Sequence, residues 1–432
     1  MKNQPARQGQ KGEASKDVPI WKMLGPGLIT GASDDDPSGI ATYSQAGAKY
    51  GFGMLWTLVL AYPLMVAIQE ISAVLGRVTG RGLAGNLHRY YPRWVMYPTI
   101  ILLLVANIIN LAADLNVMGT ALKMLIGGWD RFYVVGFAIG STIVQIRVPY
   151  ARYAQYLKWL CLALFAYVAT AFVVKVDWSH AFYGTLVPKV AMDSDGFTML
   201  IAILGTTISP YLFFWQASGE VEELEDDPQA KALRTAPAQA PAHLRRIKWD
   251  TLIGMAFSNV IAWFIILTVA ATLNSKGSTE IQTATEAAEM LKPVAGPYAF
   301  VLFAAGIIGT GLLALPVLSG SAAYAVGEAF QWTTGLNKPA HKARGFYAII
   351  VLSMILGVGA NFAGLDPIKA LFWTAVINGV IAAPVMVTLM LMATNPKVMG
   401  PIKLPQRLRW IGWAATAFMV ATTVAFFITL AH

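Results

Sequence analysis

Long apolar runs, separated by short polar intervals rich in Gly, Pro and charged residues, repeat along this chain from residue 24 to residue 430. A helix needs about 20 mostly apolar residues to cross the hydrocarbon layer of a bilayer. On that measure spanning helices are predicted near 24–48, 53–76, 95–122, 132–148, 154–176, 198–219, 250–273, 298–329, 344–361, 367–392 and 410–430. The chain therefore reads as an all-α membrane protein with eleven transmembrane helices. The first segment is the least apolar, because Asp34, Asp35 and Asp36 stand in its middle.

Two of these segments, the first and the sixth, are interrupted near their centres. Residues 30–39 read TGASDDDPSG and residues 205–213 read GTTISPYLF. Each places a proline, Pro37 or Pro210, among small and polar residues. Proline removes a backbone donor and frees the carbonyl four residues earlier, here those of Ser33 and Thr206. In hydrocarbon such groups are tolerated only where a cavity, a partner or an ion satisfies them. Two interrupted helices in corresponding positions point to an inverted-repeat transporter with a central binding site. Proline kinks that only shape packing are the plainer reading of the sixth segment taken alone, since prolines are common in membrane helices. For the first segment that reading is weak, because a carboxylate at bilayer depth costs several kcal/mol, about 2.5–3.5 on insertion scales. The three aspartates point about 100° apart on a helix, so they do not all face one ion. Asp36, beside Pro37, is the first choice as a ligand. Asp34 and Asp35 are assigned to a vestibule that attracts cations.

Charge fixes a topology. With the N-terminus inside, 24 of the 32 Lys and Arg residues fall in cytoplasmic segments, from Lys2 through Arg77, Arg147, Arg246 and Lys338 to Arg409, and 8 fall outside. That asymmetry is the positive-inside rule. Removing the Asp-rich first helix would invert every later loop, so this segment is expected to span and the C-terminus to lie outside, in the plasma (inner) membrane. The net charge of +9 is then a topology signal and calls for no nucleic acid. Residues 1–21 are polar and expected to be a disordered cytoplasmic tail without a cleaved signal peptide. Residues 220–249 run from an acidic cluster (Glu220, Glu222, Glu223, Glu225, Asp226, Asp227) through an Ala/Pro stretch to Arg245, Arg246 and Lys248, and are expected to form a mobile cytoplasmic linker.

Composition narrows the classes. Apolar residues make up 56% of 432 positions and charged ones 13%, well below a soluble domain. The one cysteine, Cys161, excludes an internal disulfide or a metal–thiolate cluster. No G-x-S-x-G, P-loop or HExxH motif supports a membrane enzyme, and no cofactor is implied. All five histidines, His88, His180, His243, His341 and His432, map to predicted loops or the tail, which argues against a His-based metal site. In the third segment Asp114 reads as functional, whereas Asn107, Asn110 and Asn116 read as interhelical hydrogen-bond donors. Glu328 and Asp366 lie near helix ends and are expected to be solvated. Gly306, Gly309, Gly311 and Gly320 read as close helix packing.

The stretch Gly25-Pro26-Gly27 through Asp36-Pro37-Ser38-Gly39, continuing as Ala41-Thr42 and Gly47-Ala48-Lys49-Tyr50-Gly51, resembles the Nramp family of divalent metal transporters. So do Leu75-Gly76-Arg77-Val78-Thr79-Gly80-Arg81 and Tyr91-Pro92-Arg93. The likeness runs from residue 21 to about 392. It implies a LeuT-type architecture of two inverted five-helix repeats (about 22–176 and 198–392), with helices one and six unwound at the centre and metal bound between them. Residues 393–432 then add a cytoplasmic loop and an eleventh helix. The departures from the family are specific. Its Asp-Pro-Gly-Asn becomes Asp36-Pro37-Ser38-Gly39, so the carboxylate stays and the amide ligand is gone. Its Met-Pro-His becomes Ser209-Pro210-Tyr211, and a second helix-six histidine becomes Gln216. Of an acidic pair on its proton route Asp114 remains, but Val117 replaces the glutamate. This pattern resembles the Nramp-related magnesium transporter branch.

Ligand chemistry points the same way. A thioether favours Mn²⁺, Fe²⁺ and softer ions over Mg²⁺ and Ca²⁺. Without it the expected site is oxygen only: Asp36, the carbonyls of Ser33 and Thr206, the Ser209 hydroxyl and Asn378, with Gly39 and Tyr211 in the positions of lost ligands. Mg²⁺ takes six oxygens and keeps several waters, and Gly39 and Ser209 are expected to leave room for them. Tyr211, Gln216 and Val117 break the titratable chain that proton coupling needs. The expectation is Mg²⁺ uptake, with Mn²⁺ also accepted, by a monomer in the lipid bilayer with weak or no proton coupling. Two alternatives stay open. One is a proton-coupled Mn²⁺/Fe²⁺ transporter routed through Asp34, Asp35 and Asp114. The other is an organic-solute or amino-acid symporter, which the aspartate triplet disfavours by repelling a substrate carboxylate.

Overall fold

The computed structural model describes residues 26–149, 164–189, 191, 193–277, 279–362, 364 and 366–431. The N-terminal tail, Cys161, His432 and residues 154–163 of the predicted 154–176 helix lie outside them. All regular structure among the described residues is helical. The main helices are α1 (Pro26–Asp34), α2 (Pro37–Tyr50), α3 (Leu55–Thr79), α4 (Leu83–Tyr90), α5 (Arg93–Ile126), α6 (Asp130–Arg147), α7 (Phe165–Val173) and α8 (Trp178–Leu186). They continue as α9 (Ser194–Thr207), α10 (Pro210–Asp226), α11 (Ala240–Thr272), α12 (Ala299–Ala329), α13 (Arg344–Asn361), α14 (Pro367–Thr394) and α15 (Gln406–Leu430). Among the described residues, 8 helical stretches are long and apolar enough to cross a membrane. The first and sixth predicted segments are each two helices, α1/α2 and α9/α10, separated by two residues outside the helix at 35–36 and 208–209.

Helices around the breaks approach backbone to backbone, and glycine makes this possible. A Cβ on Gly31 of α1 would lie 2.2 Å from the Gly254 carbonyl oxygen of α11, and one on Gly205 of α9 would lie 2.0 Å from that of Ala375 in α14. Both gaps are far below any van der Waals separation, so only glycine fits. Elsewhere Gly76 of α3 meets the Ala217 carbonyl of α10 in the same way, at 2.2 Å. The glycines singled out in α12 behave differently. Gly311 faces the Met118 side chain and Gly320 the Trp215 ring. They accommodate large neighbours and do not bring two backbones together.

The two ends of the bundle collect the loops that the charge count assigns to opposite sides. At one end Lys49 pairs with Asp195 at 2.6 Å, and the Asn274 amide donates to the Ala48 carbonyl at 2.7 Å. At the other, Arg234 N donates to the Val78 carbonyl at 2.9 Å, Lys338 pairs with Glu225 at 2.8 Å and the Arg234 guanidinium reaches the Val398 carbonyl at 3.3 Å.

The expected free linker at 220–249 is a correction. Helix α10 runs on to Asp226, α11 starts at Ala240, and only 227–239 lie between them. Glu220 is fully buried and pairs with Arg246 at 2.5 Å, and Arg246 also holds Glu223 at 2.6 Å. The acidic run is therefore the end of a helix, held by basic groups spaced further along the chain.

Candidate metal site at the helix breaks

Asp36 stands between α1 and α2 with extended backbone (φ −67°, ψ 170°), and Pro37 follows at the first position of α2. Proline suits that position because its missing N–H would have had no partner there. Asp36 is the N-cap. Its Oδ1 accepts from Gly39 N at 2.8 Å and from Ser38 Oγ at 2.6 Å. An anion is favoured at this helix end by the α2 dipole. Its Oδ2 faces across the bundle and accepts from Asn110 Nδ2 of α5 at 3.0 Å and Tyr211 Oη of α10 at 3.2 Å. One buried carboxylate thus ties the first break to two other helices.

Asn110 is the residue that sequence reading missed as part of a site. Its Nδ2 also reaches Asp114 Oδ2 at 3.2 Å, and its Oδ1 accepts from Asn378 Nδ2 of α14 at 3.2 Å. A signal was available, since residues four apart share one helix face. Asn110 therefore had to point where Asp114 points. Among the described residues, Asn378 Oδ1 and Asp114 Oδ1 have no hydrogen-bond partner. Val117 is fully buried on the same helix and brings no polar atom.

The second break is arranged differently. Ser209 precedes Pro210 in the N-cap position of α10, but its hydroxyl makes no cap bond. It turns back to the end of α9, within 2.8 Å of the Gly205 carbonyl oxygen and 3.0 Å of that of Thr206. The carbonyl freed by Pro210 is thus met by a side chain of its own segment. Space at Gly39 is also tighter than expected. A Cβ there would fall 2.9 Å from Thr206 Oγ1 and 3.4 Å from the Tyr43 ring, so these side chains occupy the volume that the small residue leaves.

Asp34 and Asp35 face away from this group, toward α11. Ser258 Oγ lies 2.6 Å from Asp34 Oδ2 and 3.1 Å from Asp35 Oδ1. Asp34 Oδ1 and Asp35 Oδ2 are buried without a hydrogen-bond partner among the described residues. Thr30 of α1 donates to Gln216 Oε1 of α10, bridging the two interrupted segments. Ser33 is buried in the last turn of α1. The sequence-predicted residues thus form two neighbouring groups. Asp36, Asp114, Tyr211 and Asn378 meet through Asn110, whereas Asp34 and Asp35 meet through Ser258.

Several other polar residues sit where the sequence did not place them. Glu328 is not simply solvated, because its two carboxylate oxygens accept from Ser218 Oγ at 2.8 Å and Gly85 N at 2.9 Å. Asp366 does lie in the open, as the exposed N-cap of α14. His88, His180 and His243 stand on helices rather than loops. The His243 ring lies 2.8 Å from the Arg77 guanidinium, at the α10/α11 end of the molecule.

Within the bundle, the groups at Asp36 and at Asp34/Asp35 present carboxylate, hydroxyl, amide and carbonyl oxygens. Among the described residues, no Lys, Arg or His pairs with Asp34, Asp35, Asp36 or Asp114. Buried anions without basic partners, set at a break between helices, suit a cation with oxygen ligands.

The fold is shared with solved transporters. The manganese transporter of Eremococcus coleocola, in complex with an aromatic bis-isothiourea substituted compound, matches with a TM-score of 0.73 at 16% identity, over 96% of this chain and 88% of that one. Mhp1, a nucleobase-cation-symport-1 family transporter, matches in a closed conformation with bromovinylhydantoin bound, with a TM-score of 0.58 at 13% identity, over 94% of this chain and 90% of that one. In its inward-facing conformation Mhp1 gives 0.53. These likenesses establish the architecture, a LeuT-like helical bundle. The family model for natural resistance-associated macrophage protein-like chains matches residues 27–429, nearly the whole sequence, so this chain belongs to the Nramp family of divalent metal transporters and is not an enzyme.

Proposed function

We propose that the protein takes up Mg²⁺, and Mn²⁺ as well, by alternating access around Asp36, with weak or no coupling to protons. One observation carries this reading: every described side chain hydrogen-bonded to Asp36 or to Asn110 ends in a hydroxyl, a carboxylate or an amide. Neither thioether nor imidazole is among them. Hard oxygen ligands suit Mg²⁺, which is held by one or two carboxylates and retains water. Asp36, Asn378 and the Asn110 carbonyl are the ligands of this proposal, with Tyr211 holding the carboxylate in place.

The link from Asp36 to Asp114 runs through the amide of Asn110. An amide does not titrate near neutral pH, so this link does not serve as a proton relay in the manner of histidine. That counts against the proton-coupled Mn²⁺/Fe²⁺ reading. Membrane potential alone supplies about 2.3 kcal/mol per charge per 100 mV, or roughly 4.6 kcal/mol for a divalent ion. The same reading takes eleven spans in two inverted repeats, a cytoplasmic N-terminus in the plasma membrane and a functional monomer.

The test is uptake of Mg²⁺ and Mn²⁺ into proteoliposomes, with internal pH recorded, for the wild type and Asp36→Ala. Both ions should enter without acidification, and Asp36→Ala should lose more than about 90% of the rate, as removal of the main charged ligand implies. Acidification in step with uptake, or undiminished uptake by Asp36→Ala, would refute the proposal.

A further inference from the structure

Asp34 and Asp35 are left over by the site at Asp36. They are fully buried, as are Asp114 and, to within 1%, Asp36. Their surroundings differ sharply from those of Asp36. Four donors serve the Asp36 carboxylate. Among the described residues, the carboxylates of Asp34 and Asp35 face a single hydroxyl, that of Ser258. A hydroxyl has one proton. If it is given to Asp34 Oδ2, at 2.6 Å, the Ser258 oxygen turns a lone pair toward Asp35 Oδ1, at 3.1 Å. That arrangement is repulsive unless Asp35 carries a proton or a cation lies between the oxygens.

Further buried oxygens belong to the same pair of carboxylates and to a neighbouring tyrosine. Among the described residues, Asp34 Oδ1 and Asp35 Oδ2 have no hydrogen-bond partner. The Tyr43 hydroxyl, fully buried, lies against the Thr206 side chain and within electrostatic reach of Asp34, Asp35 and Asp36. An uncompensated carboxylate in such surroundings either gains a cation or gives up its charge. With Asp34, Asp35, Asp36 and Asp114 all ionised, one divalent ion at Asp36 offsets only two of the four charges. Two divalent ions offset all four.

We propose that Asp34, Asp35 and the Ser258 hydroxyl form a second divalent-cation site beside Asp36, between α1 and α11, so that two ions stand in tandem at the first helix break. This rests on the reading of Asp36 as the first site. The donor set is again hard oxygen, which selects Mg²⁺, Mn²⁺ or Ca²⁺ over softer ions. Neighbouring ions repel, so each weakens the other's hold, as adjacent sites in a conducting path do. Asp34 and Asp35 thereby become a waiting position for the next ion.

The test is equilibrium dialysis of the purified full-length protein against Mg²⁺ alone and Mn²⁺ alone, with bound metal counted per chain. The wild type should bind two ions at saturation. Asp36→Ala and the double variant Asp34→Asn/Asp35→Asn should each bind one. Ser258→Ala, a milder change that guards against misfolding of the double variant, should weaken one of the two ions by about 10-fold and leave the other unchanged. A single ion in the wild type, lost in Asp36→Ala and kept in Asp34→Asn/Asp35→Asn, overturns the second site while leaving the first intact. Two ions that both survive Asp34→Asn/Asp35→Asn and Ser258→Ala also overturn it. No binding to the wild type would sink the metal reading of Asp36 itself.

Discussion

Asn110 makes three contacts at once: it donates to Asp36 and to Asp114, and accepts from Asn378. Removing it strands a donor on α14 and takes a donor from each of two buried carboxylates. Loss of a partner that orients a metal ligand typically costs 10–100-fold in affinity or activity. Asn110→Leu should therefore lower kcat/KM for Mg²⁺ uptake by about that factor. Tyr211→Phe, which removes one donor at 3.2 Å, should cost only several-fold. Uptake rates across a Mg²⁺ series decide this, and an Asn110→Leu variant that works like the wild type would show that the bridge is incidental. Residue by residue, the sequence revealed what is chemically unusual and hid what is common. Three carboxylates and a proline in one apolar segment admit few explanations, so Asp36 could be picked out. An asparagine in a membrane helix usually serves packing, and Ser258 is one more serine in a long apolar helix. Their importance comes from partners 74 and 224 positions away, which no local pattern encodes.

At the scale of elements, some helices were readable almost to their ends because the bilayer sets their length and composition, whereas predicted 250–273 starts already at Ala240 and predicted 198–219 runs on to Asp226. Predicted 344–361 is α13, and predicted 367–392 is α14 short by two residues. Which glycines bring helices together was not readable, since a glycine against a backbone and a glycine facing outward look alike in sequence. The structure separates them. Gly205→Ala puts a methyl group 2.0 Å from the Ala375 carbonyl oxygen, whereas at Gly136 of α6 an added Cβ meets nothing within 4 Å. Overpacking of this kind costs about 1–3 kcal/mol, and a helical glycine replaced by alanine in open space gains about 0.5–1 kcal/mol. Gly205→Ala should therefore lower the thermal midpoint of the purified protein, and Gly136→Ala should hold or raise it. Equal shifts in a melting assay would mean that α9 and α14 can separate without penalty.

Across the whole molecule, the C-terminal end of α10 gathers contacts from several later segments of the chain. Glu220 and Glu223 pair with Arg246, Glu222 accepts from Tyr324 and from the Leu336 amide, Glu225 pairs with Lys338, and Asp226 accepts from Asn337 at 2.7 Å. The sequence showed an acidic cluster and later basic residues. It could not show that the two interlock, because that depends on the 227–239 connection folding back along the end of α3 through Arg77 and Val78. The Glu220–Arg246 pair gives this closure a measurable signature. The Glu220 side chain is fully buried and that of Arg246 is 17% exposed. Removing one partner of a buried pair leaves an uncompensated charge and costs about 3–5 kcal/mol, whereas removing both charges costs much less. Arg246→Ala should therefore lower the melting midpoint strongly, and Glu220→Gln/Arg246→Ala should recover most of the loss. Recovery stops short of complete because Glu223, 40% exposed, loses the same arginine and is left with Arg77 at 3.9 Å. If the double variant melts no higher than Arg246→Ala, the arginine acts through its packing rather than its charge, and α10 is held at this end by the contacts of Glu222 and Glu225 instead.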